Sequence, residues 1–351
     1  MDGVAGSEVG VLSQLNSNTG FRTNVGFVNL GGSGSVVRVR LFDGQGVALG
    51  SEIAEPVGPG EWRQVNRVFR IANAGDCTGC YAMIDLAGGG DGPVWAYASV
   101  VDNGSGDPTT IPMEKVSQQA VGSDVLVAGI AETAGAAGTR WKSDVAALNL
   151  SGSAVEGTVE YRHGSGVARS DLLIGDGELL LWENVASLLG APDSAGAVAI
   201  TADGPLVVTA RTFNDADAGT FGQFIPGLGP SASVGPGSPA VLPQIKRNDD
   251  FRTNVGFTNY SDVPCDVTVR LVDASGQQLG SSVMVSDIPP GGWKQQNRIF
   301  REAGVSECEL GYAAISVETE GCGVWAYASV VDNGSGDPTT IPATVLFHIV
   351  P

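Results

Sequence analysis

The sequence predicts an all-β fold of three tandem β-sandwich domains, and three observations carry that expectation. Two long segments recur almost letter for letter at a fixed interval, and apolar and polar residues alternate in short runs. Gly, at 51 of 351 residues, is about twice its usual ~7% share and has no collagen-like period. With 18 Pro, this composition suits many tight turns between short strands, and 42% hydrophobic residues leave each unit enough material for a core.

The repeat comes first. Phe21-Arg22-Thr23-Asn24-Val25-Gly26-Phe27 returns unchanged as residues 251–257, and VWAYASVVDNGSGDPTTIP of residues 94–112 returns unchanged as residues 324–342. Trp62-Arg63-Gln64 matches Trp293-Lys294-Gln295, so two copies lie almost colinear. Half the interval predicts a middle copy. It is present in diverged form: Trp141-Lys142-Ser143-Asp144-Val145 stands where Phe21 begins, Asn149 matches Asn29, and Ile225-Pro226 closes the unit as Ile111-Pro112 closes the first. The expected domains are 1–114, 122–228 and 240–351, joined by polar residues 113–123 and by Gly/Ser/Pro-rich residues 227–239 that would allow movement between units.

Within a copy, Val37-Arg38-Val39-Arg40-Leu41 puts its apolar residues on one face of a strand and its arginines on the other, and residues 267–271 repeat the pattern. Asp43-Gly44-Gln45-Gly46 supplies a hairpin turn. One short helix is expected in residues 66–74, 183–190 and 297–303. About seven short strands in roughly 100 residues suit an immunoglobulin-like sandwich.

Lys plus Arg number 19 against 38 for Asp plus Glu, a formal charge of −19. Such a surface repels phosphate backbones and anionic lipids, which argues against nucleic acid as a partner. Membrane insertion is not expected either, because no run approaches the ~18 apolar residues of a span. The Met1-Asp2-Gly3-Val4 start lacks signal-peptide features and is read as a mature form with an added Met.

The FRTNVGF and VWAYASVVDNGSGDPTTIP blocks resemble tandem β-sandwich modules of secreted proteins from Acidobacteria-like bacteria, often without assigned activity. The resemblance covers almost the whole chain. It implies an extracellular or cell-surface setting and transfers no catalytic residues.

Four groups of residues are candidate sites. Trp62, Trp95 and Tyr97, with Trp293, Trp325 and Tyr327, could form aromatic platforms for sugars. In the middle copy Val208 and Ala210 are aligned with Trp95 and Tyr97, which favours packing in the core instead. Asp102, Asp107, Asp332 and Asp337 concentrate hard oxygens in a repeated loop, and calcium is the one cofactor they could hold. They lack the Asp-x-Asp-x-Asp-Gly pattern, and an ordinary turn is the simpler reading. Among five cysteines, Cys77, Cys80, Cys308 and Cys322 are expected in structural disulfides, Cys308 with Cys322 bridging one strand and Cys265 left over. Thr344, Val345, Leu346, Phe347 and Ile349 form an apolar tail that either ends the third domain or adds to a neighbour's sheet edge.

His163 and His348 have no counterparts in the other copies, and no GxSxG, HExxH or phosphate loop occurs. No enzyme activity is expected. The sequence points to an extracellular structural or adhesion protein, self-associating or bound to a surface partner, with a carbohydrate-binding array as the alternative.

Overall fold

A computed structural model describes residues 3–88, 92–116 and 124–345. The first repeat runs β1 (Gly10–Ser17), β2 (Phe21–Asn29), β3 (Ser35–Phe42), β4 (Ala48–Val57), β5 (Trp62–Val65), α1 (Val68–Ile71), β6 (Cys77–Leu86), β7 (Val94–Asp102), β8 (Pro108–Pro112) and β9 (Glu114–Lys115). Its two antiparallel sheets are ordered β4-β3-β6-β1-β9 and β5-β2-β7-β8. The second repeat runs β10 (Asp124–Ala134), β11 (Arg140–Leu148), β12 (Val155–His163), β13 (Gly166–Ile174), β14 (Leu179–Trp182), α2 (Val185–Leu188), β15 (Ser194–Ala202), β16 (Val207–Ala216) and β17 (Gly219–Leu228). The third runs β18 (Ala240–Arg247), β19 (Phe251–Asn259), β20 (Cys265–Asp273), β21 (Gln278–Ile288), β22 (Trp293–Gln296), α3 (Ile299–Glu302), β23 (Cys308–Val317), β24 (Val324–Asp332), β25 (Pro338–Pro342) and β26 (Thr344–Val345), in the same order as the first. In the second, β17 pairs with both β16 and β10 and merges the two sheets into one of eight strands.

The all-β expectation holds, and the expected helix of each copy is a single turn. Each outer repeat is a sandwich of two antiparallel sheets. Here β1 and β2 lie in opposite sheets. The cause is local: β1 bulges at Gln14, a residue with φ 57°, and then turns the corner at Asn18. Gln244 (φ 58°) repeats the bend in β18, and Gly129 (φ 63°) in β10.

The repeated motifs do the joining. Thr23 Oγ1 accepts from Asn16 N–H at 3.3 Å and donates to Asn16 C=O at 2.6 Å, tying β1 to β2 across the sandwich corner. Thr253 does the same with Lys246. Asn24 Oδ1 accepts the N–H of Arg67, whose left-handed φ of 52° starts α1. Asn254 serves Arg298, and Asp144 of the middle copy serves Asn184. Val37, Val39 and Leu41 enter the core as the alternation predicts, while Arg38 and Arg40 both donate to Asp85 at 2.5 Å.

Each repeat encloses an apolar core, yet the cores are not isolated. The middle one also takes in Val11 and Tyr81 from the first repeat and Trp325 and Tyr327 from the third. The linkers do not leave the units on free strings: Val234, in the Gly/Ser/Pro-rich segment, is buried and pairs through its backbone with Val324. Residues 117–123 of the first linker lie outside the described residues.

Pairing decides between the two readings of Thr344 and Val345, and the expected cysteine pairing is corrected. Thr344 and Val345 pair with Val241 and Ala240 inside their own repeat, as Glu114 and Lys115 pair with Val11 and Gly10, so this short strand is not a donor and is not unique to the last copy. Leu346, Phe347 and Ile349 lie outside the described residues. Cys77 bonds Cys80, but Cys322 bonds Cys265, with Cα atoms 5.8 Å apart, and Cys308 is a buried free thiol. The loop ahead of β24 carries Cys322 to the first residue of β20, whereas Cys308 starts β23 beside Arg247.

Candidate functional site

Trp95 and Tyr97 lie on β7 and Trp325 and Tyr327 on β24, with Trp62 and Trp293 on β5 and β22, and the β7 and β24 rings face the opposite way from the expected one. Val94, Ala96, Ala98 and Val100 enter the core of the first repeat. Trp95 and Tyr97 point outward. Strand pairing shows why the alignment failed. Val25 pairs with Ala98 and Val145 with Ala210, so Ala98 and Ala210 are equivalent, and Tyr97 corresponds to Thr209 rather than Ala210. A slip of one residue exchanges the two faces of a strand.

The outward face is built the same way in both outer repeats. Trp62 Nε1 donates to Tyr97 Oη at 3.3 Å, and Tyr97 donates to Gln64 Oε1 at 3.0 Å, with Trp95 stacked on Tyr97 at 5.7 Å between ring centroids. Trp293, Tyr327, Gln295 and Trp325 repeat this at 3.1, 3.3 and 5.3 Å. Each tyrosine ring lies flat across the glycine opposite it. A Cβ at Gly26 or Gly256 would come within 2.4 Å of the ring, which explains the glycine of FRTNVGF. In the middle copy Thr209 replaces the tyrosine, and Ala146 replaces the glycine.

What differs is cover. Tyr327 is 1% and Trp325 6% exposed, because the second repeat packs on them. Gly129 lies against Tyr327 Oη, where a Cβ would sit at 2.5 Å, and Arg162 Nη1 donates to Gly291 C=O at 2.9 Å. The first repeat covers the second in the same sense. Ser13 and Thr209 hydroxyls meet at 3.0 Å, Gln14 Nε2 donates to Asp144 C=O at 3.4 Å, and Tyr81 Oη donates to Gly177 C=O at 2.9 Å. In the first repeat the face is open, with Trp62 57% exposed and Trp95 and Tyr97 half-buried.

The acidic loops are structural parts of the same packing. Asp102 Oδ1 accepts from Gly104 N–H and Ser105 N–H, and Oδ2 from the N–H and hydroxyl of Thr220 at 2.9 and 2.7 Å. Burial acts to raise its pKa, but these donors outweigh it and hold the carboxyl below its usual value. Asp107 Oδ2 accepts Gly222 N–H at 2.7 Å. Asp332 accepts from Gly334 and Ser335 N–H and is also held low, chiefly by Ser335. Asp337 faces Asp107, and burial together with the Asp107 charge pushes it up to about 7. Arg211 of the middle repeat is buried among them, donating to Thr109 and Thr220 and lying 4.7 Å from the centroid of the Phe213 ring. Among the described residues no group of three or more His, Cys, Asp or Glu is arranged around a common metal position.

Sequence reasoning named the aromatic residues but missed Gln64 and Gln295, which complete their hydrogen bonds, and missed Ser13, Gln14 and Tyr81 of the joint between the first two repeats. The available signal was Arg211, a charged residue that the correct register aligns with Ser99 on the outward face rather than with a core alanine.

No family model matches the chain, and no curated protein matches it. Among solved structures, Thermotoga maritima 1070 aligns with 32% of this chain and 96% of its own length, at 12% identity and a TM-score of 0.25. A tetra-tandem repeat from the extending region of a large adhesion protein aligns with 99% of this chain and 93% of its own, at 12% identity and a TM-score of 0.16. A Pleurotus ostreatus lectin in its apo form aligns over 99% and 81%, at 11% identity and a TM-score of 0.19. Similarity this low transfers neither fold nor function, and no family is assigned.

Proposed function

We propose that this chain is a non-enzymatic structural or adhesion protein of the extracellular space, its three repeats packed as one body. The observation that carries the reading is the use of one sheet face twice as a joint between repeats. Conspicuous polar groups, the DNGSGD loops and Arg211, are taken up by turns and inter-repeat contacts. The two disulfides suit an oxidising compartment. Among the described residues no helix is long and apolar enough to cross a membrane. Immunogold labelling of sections of the producing cells is expected to place the protein at the outer surface or between cells. Gold confined to the cytoplasm would overturn the reading.

One observation favours a second reading. Trp62, Trp95 and Tyr97 form an accessible platform in the first repeat, and stacked aromatic residues with a polar edge suit the apolar face of a sugar ring.

A further inference from the structure

We infer that the chain joins further copies of itself head to tail, the β18–β23 face of one copy docking on the Trp62–Trp95–Tyr97 face of the next. The inference rests on the structural reading above and names the partner of its open face as a second copy of this chain.

The joint has two unlike halves. One is the outer face of the first and sixth strands of a repeat, and the other is the outer face of the second, fifth and seventh. Within the chain, the first half on repeat one covers the second half on repeat two, and repeat two covers repeat three in the same way. Among the described residues two halves remain without partners, the first on the third repeat and the second on the first repeat.

Burial records this directly. Ser13 and Gln14 are 2% and 5% exposed, whereas their counterparts Pro243 and Gln244 are open to solvent. Tyr81 is buried under the second repeat, and its counterpart Tyr312 is not. On the other half, Leu179 and Thr209 are buried while Trp62 and Tyr97, their counterparts in the first repeat, are accessible. Gly79 packs against Leu179 and Leu181 at the first joint, and its counterpart in the third repeat is Leu310, 55% exposed. Trp62 and Leu310 are therefore large apolar side chains left exposed on complementary halves of one joint.

The open face of the first repeat also keeps the arrangement that is buried in the third, down to the indole–tyrosine–glutamine chain of hydrogen bonds. An interface of two unlike halves repeats in one sense, so it generates a ring where the rotation closes and a filament where it does not.

Sedimentation velocity of the whole chain over a concentration series tests this, with Trp62→Asp and Leu310→Asp as separate variants. Both positions are exposed, so each variant should melt with the wild type. The wild-type mass is expected to climb in whole-chain steps, and each variant alone is expected to stay at the mass of one chain. An equimolar mixture of the two variants should stop at a dimer, since one functional joint remains between them. A wild type of single-chain mass throughout, or association that survives both substitutions, would overturn the inference. So would a monomeric wild type that binds a glycan array and loses that binding in Trp62→Asp, because the face would then belong to a sugar. Cytoplasmic gold labelling would defeat the functional reading while leaving these masses unchanged, so the two failures are distinguishable.

Discussion

Asn149→Ala is expected to destabilise the middle repeat by about 3 kcal/mol or more, a sum of lost hydrogen bonds and the groups left unpaired. Asn149 is fully buried. Its Nδ2 donates to Ser153 C=O at 2.7 Å and Ile174 C=O at 2.9 Å, and its Oδ1 accepts Ser151 N–H at 2.9 Å. One side chain thus fixes the loop after β11 and the end of β13. Water can replace the amide at the exposed Ser151–Ser153 loop but not at the buried Ile174 end. Asn149→Asp should not rescue, because it sets a carboxylate oxygen against two carbonyls. Asn29 and Asn259 make the same three contacts, so the effect should recur at both. Urea denaturation with an unchanged slope reads the shift; a loss below about 1 kcal/mol, the value of one ordinary hydrogen bond, would contradict it.

The double substitution Cys265→Ser/Cys322→Ser is expected to cost about 4 kcal/mol, since the bond closes a long loop in the unfolded chain. The two cysteines are separated by 57 positions, against 3 for Cys77 and Cys80. On the same chain-entropy argument, removing Cys77–Cys80 costs about 2 kcal/mol. Cys308→Ser breaks no disulfide and should cost less than either. Thermal denaturation of the three oxidised variants gives the order, and a Cys308→Ser loss equal to that of the double variant would contradict the pairing.

Much of the fold was legible in the sequence, because a repeat spacing and a period of two both survive divergence. Thr23-Asn24 and Ser143-Asp144 read as equivalent since the corner and the left-handed start of each helix need a hydroxyl and then an acceptor. Sheet order was not legible. It depends on the bulges at Gln14, Gly129 and Gln244, where glutamine adopts a conformation its identity does not announce.

The aromatic face was found but misassigned, for two physical reasons. A strand such as VWAYASVV has small apolar residues on one side and large ones on the other, so hydrophobicity alone cannot say which side is the core. The diverged middle copy then admits two registers one residue apart, and only the Val145–Ala210 pairing decides between them. The Cys265–Cys322 bond was missed for a related reason, since it joins a strand start to a loop that only the folded chain brings near.

Hydroxyl-radical footprinting of the dilute monomer tests the shared joint most directly. Trp95 and Trp325 sit in identical stretches of 19 residues, so any difference in their oxidation rates reports cover by a neighbouring repeat and not local sequence. The packed arrangement predicts that Trp62 reacts fastest, Trp95 follows, and Trp325 is protected. Equal rates at Trp95 and Trp325 would mean that the second repeat does not cover the third, and the account of one face used between repeats would be wrong.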